Sequence, residues 1–205
     1  MTRLLLLIII LSFKLSASGQ VVDTKVKNKI QALASANVDT LLIYSYSCNG
    51  GLIPLDSCLY EEAQILFWLQ DGHTFLQKFD YCRSSEVLKL DTLNPLTFYL
   101  KYKRTIDKED IKPPTYFEVK KGKNGYGTIM NSITVSHSCF HHFISNLKGQ
   151  VKQKNVNTYY LNFVRFNNGK LNYYRYYNKR TKLNALSKMT ADLIISLDEI
   201  QSKSD

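Results

Sequence analysis

Proline and glycine are scarce in this chain, 4 and 9 of 205 residues, which excludes a collagen-like or low-complexity polymer and leaves few places for long linkers. Cysteine is equally sparse, with 4 residues, none in the tight CxxC spacing that structural zinc sites use. There is no GxSxG elbow, no HExxH helix, no phosphate loop and no dinucleotide glycine fingerprint, so no local motif fixes a reaction. Acidic residues are the minority charge, 17 against 27 Lys and Arg. The basic residues are scattered, with only short concentrations at Lys120–Lys123 and Lys179-Arg180. That spread reads as solvated surface rather than a nucleic-acid groove, and a basic exported chain meets anionic lipid or acidic polymer instead.

Long apolar runs are missing except at the start, where Arg3 precedes Leu4–Phe13 and Ala17-Ser18-Gly19 supplies a small-residue cleavage site. This is the layout of an export signal over residues 1–19. The run is shorter than the roughly 20 apolar residues that span a bilayer, so no stable membrane anchor is expected after cleavage. Removing it takes away two positive charges, Arg3 and Lys14, and no acidic residue. Residues 20–205 then read as a single α+β domain in the periplasm or outside the cell.

What is present is a strong hairpin. In Glu62–Cys82 two apolar and aromatic runs flank Asp71-Gly72, and a two-residue type I′ turn there sets Gln70 against His73, Trp68 against Phe75, Phe67 against Leu76 and Ile65 against Lys78. Both faces carry apolar side chains, which predicts a place inside a sheet. Before it, Gln20–Ala36 has Val22, Val26, Ile30 and Leu33 at helical spacing with Asp23 able to cap, and Leu42, Tyr44 and Tyr46 alternate as a strand ending near Ser47. Asn94-Pro95 opens a short helix to about Ile106, with proline at the first helical position.

The segment after it carries Thr115–Val119 as a brief strand, and Lys120–Gly127 reads as the least ordered internal stretch. Residues 132–147 suit a helix or a strand, and strands flanking Lys148-Gly149 are favoured. Thr158–Asn178 reads as a second hairpin turning at Asn168-Gly169, with Phe166 opposite Leu171 and Phe163 opposite Tyr174. Lys182–Ser202 places Leu183, Leu186, Met189, Leu193, Leu197 and Ile200 three and four apart, a closing helix. The expected fold is α+β, an antiparallel sheet built from β-hairpins with N-terminal and C-terminal helices packed on one side of it.

Four cysteines in an exported chain predict disulfides among Cys48, Cys58, Cys82 and Cys139. Three pairings are open. The Gly- and Pro-containing stretch from Cys48 to Cys58 favours closing that short loop, leaving Cys82 for Cys139. His137, His141 and His142 with Cys139 form the densest set of metal-type ligands, and on a strand His137, Cys139 and His141 share a face. No ligand signature surrounds them, a disulfide consumes Cys139, and no metal or other cofactor is expected. The aromatic run Tyr173, Tyr174, Arg175, Tyr176 and Tyr177 offers a platform to a glycan or peptide.

The function read from these features is an exported, non-enzymatic domain that binds a macromolecular partner, a protein or an envelope polymer, in an inhibitor or immunity-like role. The competing reading is a hydrolase or metal-dependent enzyme using His137–His142. The LFWLQDGHTFLQKFDYC hairpin, the downstream HSCF stretch and the aromatic segment together resemble small uncharacterised exported proteins of Bacteroidetes-type bacteria. That resemblance spans Thr40–Asn178 and implies an envelope location and no known activity.

Overall fold

Asp71 and Gly72 turn the chain back on itself with φ of 51° and 76°, the two positive values a type I′ turn requires. On either side run β2 (Gln64–Gln70) and β3 (His73–Phe79), paired in the expected register from Gln70↔His73 out to Gln64↔Phe79. The computed structural model describes residues 22–49, 63–80, 84–91, 93–123 and 125–201. The export signal, Cys58 and Cys82 lie outside these residues.

The chain divides into two compact units of interleaved segments. One takes residues within 1–47, 52–101 and 142–154, and the other those within 48–51, 102–141 and 155–205. The fold class is α+β as expected, with a six-stranded antiparallel sheet and a separate two-stranded sheet.

In the first unit the helix α1 (Thr24–Ser35) starts at Asp23, whose carboxylate accepts the Lys25 N–H. It stops in a Schellman turn: Asn37 takes φ of 60°, its N–H reaches the Ala34 carbonyl, and the Val38 N–H reaches Leu33. Asparagine is among the few residues that accept this left-handed conformation. The sheet runs β4-β3-β2-β1-β7-β8, where β1 is Thr40–Cys48, β4 Leu88–Leu90, β7 Cys139–Leu147 and β8 Gln150–Asn157. The preferred strand assignment around Lys148-Gly149 therefore holds, and that turn also has two positive φ values, 51° and 81°.

Alternation along the strands divides the sheet into two apolar faces. Leu41, Ile43, Leu66, Trp68, Phe79 and Ile144 pack with Val22, Val26, Ile30 and Leu33 of the α1 region. The other face carries Leu42, Tyr44, Ile65, Phe67 and Leu76, all buried. The helix α2 (Pro95–Ile106) lies over this second face, because the Tyr99 hydroxyl meets Ser145 Oγ at 2.8 Å. Helices thus cover both faces rather than one, as a central hairpin with apolar side chains on both sides demands. Asn94 caps α2 reciprocally: its Oδ1 accepts the Thr97 N–H and its own N–H donates to Thr97 Oγ1, both at 3.1 Å.

The second unit departs further from expectation. The stretch read as least ordered is a two-stranded ribbon, β5 (Thr115–Gly122) with β6 (Gly125–Ser132), paired without a break from Thr115↔Ser132 to Gly122↔Gly125. Its glycines do not break it because a ladder of backbone hydrogen bonds needs no side chains, and Gly125 supplies the positive φ, 123°, beside the turn.

The second hairpin is not formed. Thr158–Asn178 instead contains a short helix α3 (Thr158–Asn162), a turn at Asn168-Gly169 held by one bridge between Arg165 and Leu171, and a short helix α4 (Arg175–Arg180). The chain does turn here, but not as the expected two-residue turn: the Gly169 N–H reaches the Phe166 carbonyl, Gly169 alone takes a positive φ, 82°, and Arg165 rather than Phe166 stands opposite Leu171, while the flanking segments are not strands. Asparagine side chains supply the bonds that a strand partner would have supplied. Asn157 caps α3 through the Tyr160 N–H. Buried Asn178 accepts the Lys112 N–H and donates to the Lys112 carbonyl, both at 2.9 Å. Buried Asn172 accepts the N–H groups of Thr115 and Tyr174 at 3.1 Å. The closing helix α5 (Lys182–Gln201) is as expected, burying Leu183 and Leu186. The Asn184 N–H donates to Thr181 Oγ1 and the Leu183 N–H to the Glu109 carboxylate.

Candidate functional site

The two sheets treat their apolar side chains in opposite ways. In the six-stranded sheet both faces bury apolar side chains at the central strands and only Tyr46 of β1 and Leu88 of β4 are exposed among the large ones described, whereas in the ribbon one face is left open. Strand alternation puts Phe117, Val119 and Lys121 of β5 on that face, against Met130, Thr128 and Tyr126 of β6. Val119 is 70% exposed, Tyr126 76% and Met130 62%. Single exposed apolar residues are ordinary, but a contiguous row of them on one strand face marks a contact surface. At the base of the row the Phe117 ring meets Tyr173 edge-to-face at 4.9 Å, and Tyr173 is itself 64% exposed.

The opposite face of the ribbon is tied down on its β5 side, although Ile129 of β6 on that face is 42% exposed. Tyr116 packs edge-on against Phe166 at 4.5 Å, with Lys170 Nζ 4.9 Å from the Tyr116 ring centre. Lys170 also holds Glu118 at 2.6 Å, and Lys120 approaches the same carboxylate at 3.9 Å. The hydrogen bond from Lys170 is the main reason the Glu118 carboxyl lies below its ordinary range; desolvation opposes it, and the charges of Lys170 and Lys120 add to the lowering. At the base, Thr115 is buried, with its N–H on Asn172, its carbonyl accepting from Tyr173 at 2.7 Å and its hydroxyl on Ser132. The ribbon is therefore held at its root, and its far end carries Lys120, Lys121 and Lys123.

The aromatic run expected to form a platform is linked through Tyr174 and continues onto the ribbon. Tyr173 joins the ribbon face. Tyr174 lies against both Tyr173 (5.1 Å) and Tyr177 (6.2 Å), while Arg175 stacks on Tyr176 at 5.6 Å on α4. Phe117, Val119, Tyr126 and Met130 were missed. The available signal was Asn124-Gly125 between two runs with strand-like alternation, the same kind of dipeptide that marks the first hairpin.

The histidine cluster is divided. His137 precedes β7 and bonds Ser136 at 2.9 Å, so it does not share a strand face with Cys139 and His141 as expected. His142 points away from the His141 side of the strand, and its Nε2 lies 2.8 Å from Ser47 Oγ. Among the described residues no three His, Cys, Asp or Glu side chains gather as metal ligands.

Cys139 is taken by a disulfide to Cys48. This overturns the expected Cys48–Cys58 and Cys82–Cys139 pairings, and the reason is register. The Lys148 N–H donates to Asp39 and the Asn49 N–H to Ser138, and the antiparallel alignment those bonds define sets residue 48 opposite 139. Buried Tyr44 and Phe143 obey the same alignment, with rings 5.2 Å apart. Burial pushes the Tyr44 phenol well above its ordinary range, and neighbouring Tyr46 adds to the rise.

Compared with known proteins, the chain matches no protein-family model, no curated protein and no solved structure. The residues themselves carry the functional argument.

Proposed function

We propose that this is an exported, non-enzymatic binding domain that engages a macromolecular partner, in an inhibitor or immunity-like role, through the open face of the β5–β6 ribbon and Tyr173. The observation that carries the reading is the row of Val119, Tyr126 and Met130, each more than half exposed on a ribbon fixed at its base. Folding leaves such a row unsatisfied, so burying it against a partner releases its hydration. Export is supported by the N-terminal charge, apolar run and small-residue site, and a disulfide between two strands far apart in sequence suits an oxidising compartment. No helix of the described residues is long and apolar enough to cross a membrane.

A photo-crosslinking side chain placed at Val119 tests this in envelope extracts. The expected result is one discrete adduct that disappears when Tyr126→Ser and Met130→Ser are added. No adduct, or one unchanged by those substitutions, would remove the ribbon from the function.

One observation favours the competing hydrolase reading: Ser47 Oγ and His142 Nε2 stand at the separation of a nucleophile and its base, on half-buried side chains. A fluorophosphonate probe that labels Ser47, with labelling lost in Ser47→Ala and in His142→Ala, would establish that chemistry. An unlabelled protein leaves the pair as a cross-strand hydrogen bond.

A further inference from the structure

The chemistry of the ribbon's far end points to a contact beyond the macromolecular partner proposed above, and it rests on the reading of the ribbon as a contact surface. Lys120, Lys121 and Lys123 surround the turn, and the nearby acid Glu118 is already engaged by Lys170 and Lys120. Among the described residues neither Lys121 nor Lys123 has an ion-pair partner. Val119 and Tyr126, the two most exposed apolar side chains of the ribbon, lie next to these lysines along the strands, and Tyr126 is directly opposite Lys121. A cationic tip with exposed apolar side chains on a two-stranded ribbon complements a surface that is anionic outside and apolar a few ångströms deeper.

We infer that the β5–β6 tip docks on an anionic lipid bilayer, with the three lysines at the phosphates and Val119 and Tyr126 in the headgroup region. Tyrosine suits that depth because its ring is apolar and its hydroxyl stays hydrated. The ribbon is a sheet of two strands, so each strand leaves its outer backbone groups without a ladder partner. Unpaired N–H and carbonyl groups are too costly to take into hydrocarbon, which limits the tip to shallow, reversible insertion. Each lysine near an anionic surface strengthens attachment about fivefold, and salt weakens that share of the binding.

The test uses the full chain with phosphatidylcholine vesicles, with and without phosphatidylglycerol. Sedimentation should show binding only when phosphatidylglycerol is present, falling as salt rises. Lys120→Gln, Lys121→Gln and Lys123→Gln together should weaken it about a hundredfold, following the effect per lysine. Val119→Ser with Tyr126→Ser should weaken it tenfold or more while near-UV circular dichroism stays unchanged, since both side chains are exposed. In Tyr126→Trp the emission added to that of buried Trp68 should shift blue on binding and be quenched more by bromines near the headgroups than by bromines deep in the chains. Absence of binding to phosphatidylglycerol vesicles overturns the inference. So does binding that ignores the serine substitutions, which would be charge attraction alone, or light scattering that finds a dimer dissolved by them, which would make a second copy the occupant. A Val119 adduct formed in extracts beside failed vesicle binding would leave the ribbon as contact surface and discard only the lipid.

Discussion

Cys48 and Cys139 stand directly opposite each other on neighbouring antiparallel strands, although 91 residues separate them in sequence. The bond between them therefore closes a long loop of chain and at the same time fastens the end of β1 to the start of β7.

Breaking that bond should be costly. Cys48→Ser with Cys139→Ser should lower stability by about 2–5 kcal/mol, the usual loss for a native disulfide in an exported domain. Denaturant unfolding measures it, and peptide mapping under non-reducing conditions should recover the 48–139 link. A map that joins Cys48 to Cys58 would refute the register between β1 and β7.

The Asp71-Gly72 turn leaves open space around Gly72, since a Cβ there meets nothing within 4 Å. Any penalty for Gly72→Val is thus backbone strain and not collision. A β-branched residue at φ of 76° should cost well over about 1 kcal/mol. A thermal midpoint equal to wild type would count against the type I′ geometry.

Asn178 is wholly buried and answers both backbone groups of Lys112. Asn178→Ala leaves the partly buried N–H and carbonyl of Lys112 without their side-chain partner, at about 1–2.5 kcal/mol each. The expected loss is about 2–5 kcal/mol, and hydrogen exchange at the Lys112 amide should quicken. Asn172→Ala should act similarly at Thr115 and loosen the root of the ribbon.

Glu118 gives a pH signature. Its carboxyl is held below the ordinary glutamate value of about 4.3, first by the Lys170 hydrogen bond. A depressed folded-state value means that the contact contributes above the ordinary carboxylate range and is lost as pH falls through the depressed value. Carbon-detected NMR should place the Glu118 midpoint below that of an exposed glutamate, and Lys170→Gln should raise it. Because a quarter of the side chain remains open to solvent, which screens the contact, the gain in stability at neutral pH should be small.

Legibility followed the range of the interactions. Asp71-Gly72 announced its hairpin and register because the turn and the alternation are local, and Asp23, Asn94 and Pro95 marked helix starts for the same reason. The aromatic segment misled because tyrosine and phenylalanine favour strands, while the choice was made by Asn157, Asn172 and Asn178 reaching backbone far away in sequence or capping a helix. The Cys48–Cys139 pairing was illegible because it depends on which strand becomes the neighbour of β1, a tertiary fact. The open ribbon face was hidden by lysines and glycines that read locally as a loop.

The interleaving of the two units has a consequence for how the chain is made and cut. The first unit lacks a segment until residues 142–154 emerge, by which time 102–141 of the second is already synthesised. Neither unit can be completed before the other has begun, and no single cut in the chain yields either one whole. Truncation at Lys101 or Tyr102 should therefore give no independently folded fragment, and limited proteolysis should leave nicked pieces held together until the disulfide is reduced and denaturant is added.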